Sequence, residues 1–358
     1  MIKKILKISL IVLLILLAIV VSYVLYLVFS YSRIEDNQAL VPKAGATESE
    51  VHTGTVYTAV TQNFGFGAYT PDFTFFMDGG TQSWANSKES VNSCIEQAAD
   101  EIKSHDPDFV LMQEVDFDST RSYHIDEKAK FESAFPGYDS VFAVNFHSAF
   151  LCYPFNQPHG FANSGIMTLS DVKIASATRR SLEISKSFSK FIDLDRCYSV
   201  SRIPVENGKE LVLYNIHASA YGGSDEIRTS QMNQLFSDML SEYEKGNYCV
   251  CGGDFNHDFT GDSTLVLGGD LMAEFGWAQP FPEDLLPKGI SRCIDYDDPQ
   301  LIATCRNCDV PYGPDCQTFV LDGFLVSDNV TVKSVKNIDT GFSYSDHSPV
   351  VLRFELQP

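Results

Sequence analysis

The sequence predicts an α/β (α+β) fold in which two mixed β-sheets pack face to face, with helices on their outer surfaces and a transmembrane helix at the N-terminus. Three observations lead to this fold class. The chain opens with a long uncharged apolar run, short apolar runs then alternate with amphipathic segments, and several short runs end in acids, amides or imidazoles. The 358 residues contain no internal repeat, which favours one large domain after the apolar run.

The first element is the apolar run from Ile8 to Phe29, which follows Lys3, Lys4 and Lys7. Its 22 residues, at about 1.5 Å each, span roughly the hydrocarbon core of a bilayer. A cleaved signal peptide is the alternative, but its apolar region is usually about 7–15 residues long and ends in a small-x-small cleavage site. We therefore expect residues 1–30 to be an uncleaved single-pass anchor in the cell membrane. With the lysines inside, the rest of the chain lies outside the cytoplasm.

That remainder is strongly acidic. The first 30 residues hold three of the 26 lysines and arginines and no acid, so 23 basic and 47 acidic residues follow, with a net charge of −24. Such a charge repels polyanions, although salt screens the field beyond about 8 Å. It disfavours an avid, non-specific nucleic-acid binder, which needs basic side chains facing phosphates. It is compatible with an enzyme that recruits divalent cations.

Two segments lack a clear hydrophobic period. Residues 31–54 are polar with Pro42 and Gly45, which predicts a linker and a catalytic domain over residues 55–358. Residues 261–317 are rich in Pro, Gly, Asp and Cys, which predicts a long insertion in that domain.

Between these segments, helices are predicted over 86–104, behind a capping box of Asn86 and Glu89, and over 225–243, because apolar residues recur at helical spacing. Apolar or alternating runs predict strands at 55–63, 108–115, 138–144, 164–170, 198–205, 210–217, 247–252, 319–326, 331–338 and 349–356.

The chain has nine cysteines, four of them between positions 293 and 316. Cys305 and Cys308 have CxxC spacing, so a structural zinc site is one interpretation. The other pair, Cys293 and Cys316, lacks that spacing, which favours loop disulfides or free thiols. An odd total leaves at least one cysteine unpaired within a monomer.

Polar side chains recur where the predicted strands end or begin. Each one alone would mark an ordinary turn, and a single histidine would be a structural one. Five such strand ends in one domain fit a metal site better than five independent turns. They carry Glu114; His217; Asp254 with Asn256; Asp322; and Asp346 with His347.

These residues and an early strand ending in Asn63 resemble, in order, the motifs of the endonuclease/exonuclease/phosphatase superfamily of DNase I-like phosphoesterases. The most specific elements are Gly253-Asp254-Phe255-Asn256 and Ser345-Asp346-His347-Ser348-Pro349-Val350. The resemblance covers nearly all of residues 55–356. It implies a four-layer α/β sandwich with a Mg²⁺ site at one end, Mn²⁺ being an alternative ion.

The resemblance also implies roles for the site residues. Asn63, Glu114 and Asp346 are expected to hold Mg²⁺, which prefers oxygen ligands. His347 acts as general base or phosphate contact, oriented by Asp322. Asp254 and Asn256 place the attacking water and stabilise the transition state, and His217 contacts phosphate or protonates the leaving oxygen.

Three further residues are candidate substrate contacts outside these motifs. Arg121 can grip a phosphate bidentately, or it can form an ion pair with Asp116 or Asp118. Asn163 opens a predicted strand and is either a site residue or a turn asparagine. Arg306 lies in the predicted insertion, shortly before Asp322.

Together these features predict a Mg²⁺-dependent hydrolase of phosphate esters, acting on a lipid head group or a small ester outside the cytoplasm. A membrane-anchored, DNase I-like endonuclease is the alternative, with nucleic acid as substrate, because His217-Ala218-Ser219-Ala220 resembles a segment of that group. A catalytically inactive binding module is disfavoured because the full set of acids and imidazoles is present. No protein partner is indicated.

Overall fold

The computed structural model describes residues 2–220, 224–261, 267, 278–295 and 301–358. The helices of this part of the chain are α1 (Ile2–Ser30), α2 (Lys88–Ser104), α3 (Glu127–Ala134) and α4 (Asp225–Glu244). The strands are β1 (Gln38–Leu40), β2 (Val56–Asn63), β3 (Phe109–Asp116), β4 (Asp139–His147), β5 (Asn163–Ser170), β6 (Ser176–Ser181), β7 (Cys197–Pro204), β8 (Glu210–His217), β9 (Tyr248–Asp254), β10 (His257–Asp258), β11 (Gln279–Pro280), β12 (Ile290–Cys293), β13 (Cys305–Arg306), β14 (Thr318–Phe319), β15 (Asp322–Ser327), β16 (Val330–Asn337) and β17 (Val350–Leu356).

The longer strands form two mixed sheets. One has the order β1-β6-β7-β8-β9-β15-β12 and the other β16-β17-β2-β3-β5-β4. Each contains one parallel pair, β8 with β9 and β2 with β3, among antiparallel neighbours. Because parallel strands end at the same sheet edge, β2 and β3 deliver their last residues side by side, and so do β8 and β9.

The sheets are packed face to face, as the sequence predicts. Phe109 and Leu111 of β3 share an apolar core with Val250 of β9 and Phe324 of β15. The outer face of the six-stranded sheet is covered by α2 and α3, and that of the seven-stranded sheet by α4. The order helix, sheet, sheet, helix is the predicted four-layer sandwich.

Helix α2 begins one residue later than its predicted capping box. Its N-cap is Ser87, whose side chain accepts a hydrogen bond of 3.0 Å from the Ser90 backbone N–H. The Asn86 side chain instead donates to Thr70 Oγ1 in the preceding loop. The helix is therefore capped by the hydroxyl rather than by the amide.

The segment from 31 to 54 differs from the predicted linker, because it lies along the domain. β1 pairs with β6, while Lys43 and Val51 bridge to Ser140 and Val205, and the Val51 side chain is fully buried. Contacts of one to three residues leave no hydrophobic period in the sequence, which is why the pattern did not reveal them.

The predicted insertion from 261 to 317 also differs in part. β12 joins the seven-stranded sheet as an edge strand beside β15, and Cys305 bridges to His347. Residues 262–266, 268–277 and 296–300 of this stretch lie outside the described residues. All nine cysteines are described, and none forms a disulfide. Within the described chain, no cysteine belongs to a cluster of three potential metal ligands.

Candidate active site

The first group of site residues joins the ends of two parallel strands. Asn63 ends β2, and its Nδ2 donates to Glu114 Oε1 at 3.3 Å and to Asp254 Oδ2 at 3.0 Å. Glu114 lies at a bulge in β3, between Met112 and Val115, and has a φ of 53°. That left-handed backbone is uncommon for a glutamate, and here it accompanies an interruption of the regular strand register.

Asp346 approaches this group from the loop before β17. It is half-buried and packs against the chain at Gly65, where an added Cβ would lie 2.6 Å from Asp346 Oδ1. Gly65 also has a φ of +62°. Burial raises the pKa of Asp346 to about 7; the nearby Glu114 carboxylate also raises it, while His347 opposes the rise. The Glu114 carboxylate therefore disfavours the charged form of Asp346.

A second group surrounds Asp254 at the end of β9. Asp254 Oδ1 accepts from the Asn256 backbone N–H at 2.9 Å, and Oδ2 accepts from the Asn256 side chain at 3.1 Å. His217, at the end of the adjacent β8, has its Nε2 3.6 Å from Asp254 Oδ2 and 3.7 Å from Glu114 Oε1. The register that pairs His217 with Asp254 brings these side chains together.

Burial shifts the protonation of both side chains. It lowers the pKa of His217 well below the usual value, and the nearby Arg196 guanidinium lowers it further. Burial raises the pKa of Asp254 to about 6; Asp322 contributes to the rise, and His347 opposes it. His217 is thus a neutral imidazole at neutral pH.

The third group is the pair of Asp322 and His347. Asp322 starts β15 opposite Asp254, and its Oδ2 accepts from His347 Nδ1 at 2.7 Å. Burial disfavours the imidazolium, but the Asp322 carboxylate outweighs it, so the pKa of His347 is raised well above the usual value. The two site histidines therefore differ in their favoured form at neutral pH, which is the neutral imidazole for His217 and the imidazolium for His347.

Two sets of residues offer a place for a cation. Ligand atoms of Asp254, Asp322 and His347 lie within 4.8 Å of one another. In this set His347 Nδ1 donates to Asp322 Oδ2 at 2.7 Å, and the Asp322 carboxylate raises the pKa of the imidazole, so a metal bound there would have to displace a proton. The set of Asn63, Glu114 and Asp346 offers oxygen atoms, which suit Mg²⁺ better.

A cavity of about 280 Å³ opens beside these groups. Acids and imidazoles line one part, and three buried arginines, Arg121, Arg196 and Arg306, line another. The remaining wall is largely aromatic. It includes Phe66, Tyr69, Phe75, Phe76 and Phe146.

Arg121 lines the cavity and also forms the ion pair that the sequence left as its alternative. Its Nε and Nη2 donate to the two Asp116 oxygens at 3.1 and 2.9 Å, and its guanidinium lies 3.8 Å from the Phe66 ring centroid. The pair is buried rather than at the surface. Arg121 therefore presents a fixed positive charge to the cavity.

Arg306 and Arg196 each have at least one side-chain nitrogen without a hydrogen-bond partner among the described residues. Arg306 Nη2 donates to the carbonyls of Thr70 and Phe73, while its Nε and Nη1 have no hydrogen-bond partner among the described residues. Arg196 donates to Ala218 O at 2.8 Å, and its Nε is likewise unpartnered within the described chain. Arg196 could not be predicted as a site residue from the sequence, because no motif surrounds it. Unpaired donors on buried arginines are costly unless an anion meets them.

Asn163 is not brought to the site. It starts β5, its Nδ2 donates to Asp118 O at 2.9 Å, and it is not among the described residues that line the cavity. The structure thus supports the turn interpretation of this residue.

The comparisons with known proteins agree with this architecture. The sequence profile of the Endonuclease/Exonuclease/phosphatase family matches residues 61–347. That match spans the strands and loops that carry the candidate site. The chain therefore belongs to this family, whose members are phosphoesterases, and the resemblance inferred from the motifs is confirmed. No curated protein sequence gives a significant match.

Solved structures share the fold at low identity. An endonuclease/exonuclease/phosphatase from Beutenbergia cavernae is 16% identical, with 84% of this chain and 72% of that chain covered and a TM-score of 0.56. ANGEL2, described as a 2',3'-cyclic phosphatase, is 13% identical, with 92% of this chain and 100% of that chain covered and a TM-score of 0.56. D. rerio TDP2, solved with a single-strand DNA product, is 14% identical, with 84% of this chain and 99% of that chain covered and a TM-score of 0.51.

Proposed function

We propose that the protein is a Mg²⁺-dependent phosphoesterase, held in the cell membrane by α1, that hydrolyses a lipid head group or small phosphate ester outside the cytoplasm. The observation that carries this proposal is the cavity, in which acidic and imidazole side chains face buried arginines. A phosphate ester is the class of ligand that needs both a cation site and additional positive charge.

Asn63, Glu114 and Asp346 would hold the cation. The fit rests on their chemistry, because two half-buried carboxylates and one amide oxygen, Asn63 Oδ1, which also accepts from the Gly65 backbone N–H, form a site that a divalent cation neutralises. When bound, Mg²⁺ would polarise a phosphoryl oxygen and offset charge in the transition state. Mn²⁺ prefers the same oxygen donors.

The other site residues would accept the proton of the attacking water and stabilise the negative charge on the phosphoryl oxygens. Asp254, held by Asn256, would orient the attacking water and accept its proton. Protonated His347, fixed by Asp322, would donate a hydrogen bond to a phosphoryl oxygen; its raised pKa favours this role over that of a general base.

His217 and the arginines would complete the reaction. Neutral His217 would hydrogen-bond to the phosphoryl group, and Arg196 and Arg306 would bind its remaining oxygens. Water adds to phosphorus, the ester P–O bond breaks, and the leaving oxygen takes up a proton.

A single assay tests the proposed function. The full chain in detergent is given bis-p-nitrophenyl phosphate, inositol phosphates and phospholipid micelles, with Mg²⁺, Mn²⁺ or EDTA. We expect turnover with either metal and none with EDTA. Glu114→Gln should reduce turnover by about 10²-fold or more while thermal unfolding is unchanged, because one charged ligand is lost. Undiminished turnover in EDTA or in this variant contradicts the mechanism.

A nuclease is the second candidate, because three arginines in the cavity suit any phosphodiester. The net charge of −24 beyond the first 30 residues opposes the approach of a long polyanion. Plasmid DNA therefore belongs in the same assay. Rapid degradation of the plasmid at catalytic enzyme levels would favour the nuclease over the lipid or small-ester hydrolase.

A further inference from the structure

The last turns of α1 are attached to a loop that borders the cavity. Tyr23 Oη donates to Phe150 O and accepts from the Cys152 backbone N–H, while Tyr26 Oη accepts from the Phe150 backbone N–H. Leu27, one turn after Tyr23, is buried. The intervening residue of this loop, Leu151, lines the cavity. One side of the cavity mouth is therefore fixed to the helix.

A second loop approaches the same place from the other sheet. Tyr31 packs edge-on against Phe191, with ring centroids 5.3 Å apart. Ser189, Ile192 and Leu194 of that loop line the cavity. Both loops at the mouth thus contact the segment in which the helix ends.

The mouth carries an unusual share of the exposed apolar surface. Among described residues outside α1, eleven large apolar side chains are exposed, and six belong to these two loops and to the turn at Phe76–Asp78. Phe76 of that turn also packs against the ring of Tyr153. We call these six the apolar rim: Met77, Phe150, Tyr153, Phe155, Phe188 and Ile192.

The distribution of charged residues around the mouth also suits contact with a membrane. Residues 140–170 contain no Asp, Glu, Lys or Arg, although a fifth of the whole chain is charged. The other rim loop contributes Lys190, whose Nζ lies 4.9 Å from the Phe191 ring centroid. Exposed aromatic residues accompanied by lysine, in a protein that is otherwise acidic, are typical of a surface that enters the membrane interface.

The length of α1 sets the height of the rim. From Lys7 to Tyr23 the helix rises about 24 Å, most of the roughly 30 Å hydrocarbon core, and a tyrosine suits the interface at which that rise ends. If the basic end of α1 lies at one face of the bilayer, Tyr23 lies at the other face. The backbone of Phe150 and Cys152, which is bonded to Tyr23, is then at the membrane surface.

We propose that the apolar rim rests on the bilayer that holds α1 and that the cavity takes the phosphorylated head group of a lipid in that bilayer. The proposal rests on the phosphoesterase function and on α1 as a membrane span. The rim would lower the cavity onto the head groups, so that a lipid reaches the site without leaving the membrane. Hydrolysis consumes one water and releases the two products of the broken P–O bond.

Two measurements test the proposal on the full chain in vesicles of phosphatidylcholine, phosphatidylethanolamine and phosphatidylglycerol. The first is independent of catalysis. Phe155→Trp and the control Val332→Trp, which replaces an exposed apolar residue of β16 off the rim, are compared in lipids with brominated acyl chains. After the fluorescence of the parent protein is subtracted, we expect the brominated lipids to quench the tryptophan fluorescence of Phe155→Trp about twofold or more strongly than that of Val332→Trp. Equal quenching overturns the position of the rim.

The second measurement compares lipid turnover with turnover of bis-p-nitrophenyl phosphate. The triple variant Tyr153→Ser, Phe155→Ser and Phe188→Ser changes rim residues that do not line the cavity. We expect about a 10-fold loss of lipid hydrolysis, with the soluble ester within about twofold. The control pair Leu285→Ser and Val332→Ser should leave both rates unchanged.

An equal loss on both esters in the triple variant, or hydrolysis of the soluble ester alone by the parent protein, overturns the lipid proposal. Hydrolysis of neither ester by the parent protein is a failure of the phosphoesterase function instead. In that case the quenching comparison still decides whether the rim contacts the membrane.

Discussion

Among the three arginines that line the cavity, Arg306 has the most side-chain nitrogens without a hydrogen-bond partner among the described residues. One of its nitrogens is held by two backbone carbonyls, and Nε and Nη1 have no partner within the described chain. We expect Arg306→Lys to raise KM for a phosphate ester about 10-fold, because a charge-assisted hydrogen bond is lost although the charge remains. Arg353→Lys, on an exposed part of β17, is the matched control and should change nothing. An unchanged KM in Arg306→Lys would remove this residue from the substrate site.

Gly65 allows a second test at the scale of single residues. Its φ of +62° and the 2.6 Å approach to Asp346 both oppose a side chain. Gly54 has a φ of +72° with nothing within 4 Å of an added Cβ. Both alanine variants should lose about 1–2 kcal/mol of stability through backbone strain.

Only Gly65→Ala should also weaken Mg²⁺ activation, because its Cβ would lie 2.6 Å from both Asp346 Oδ1 and the Tyr69 ring, and the shift that relieves these contacts moves Asp346. Thermal unfolding and metal titration of activity measure the two effects separately. Equal Mg²⁺ activation in the two variants would show that Asp346 is not a cation ligand.

The motifs pointed to acids and imidazoles that lie together in the structure, but they did not reveal the side chains around them. Motifs identified Glu114, Asp254 and His347, because acids and imidazoles at strand ends leave a readable pattern. The burial of Arg121, Arg196 and Arg306 could not be predicted in this way. It depends on loops far apart in the chain that meet only in the folded domain, and an isolated arginine in a sequence is most often exposed.

Among the elements, the turns at the other end of the six-stranded sheet bring acids together. Burial raises the pKa of Asp171 to about 7, and the Asp108 and Asp106 carboxylates raise it further. The pKa of Asp171 is therefore higher in the folded protein than in the unfolded chain. Its protonated form contributes fully to the stability of the folded protein below about pH 4, and this contribution is lost as the pH rises through 7.

Asp171→Asn removes the charge that wild type must bury at higher pH. At pH 8 we expect the variant to be about 1–2 kcal/mol more stable than wild type, a figure reduced for partial solvent screening, and below pH 4 equally stable. Chemical denaturation across this pH range measures the difference. Asp100→Asn, at an exposed position of α2, should show no such pH dependence. A constant difference across the range would contradict the assigned cause.

At the scale of elements, period and length decided what could be predicted. Helices α2 and α4 and the long strands carry repeating apolar positions, so their existence follows from the pattern. β1 and β12 do not, because they have three and four residues. Their places at the sheet edges depend on which neighbours are left unpaired, and a local pattern does not contain that information.

For the whole molecule, the proposed location of the reaction depends on whether α1 is retained. Within its 29 residues, a stretch of 18 has a mean hydropathy of 3.1, which suits a membrane span, and a signal sequence passes the same test. We expect the mature protein to keep its first residues after any Met1 removal, to stay with membranes in alkaline carbonate and to dissolve in detergent. Intact-mass measurement of the purified protein distinguishes the two cases. A mature chain that begins near residue 30 would show that α1 is removed.

The pairing of β1 with β6 has a consequence for any release of the domain from the membrane. Without β1, strand β6 would be the open edge of the seven-stranded sheet, and unpaired edges are templates for pairing with another chain. A proteolytic cut before Ile34 leaves this cover in place. A cut after Leu40 uncovers the edge, so the shed domain would be prone to aggregation. In a domain released from a membrane, residues 38–40 would therefore protect the edge of the seven-stranded sheet, and the position of the cut would decide whether that edge is open.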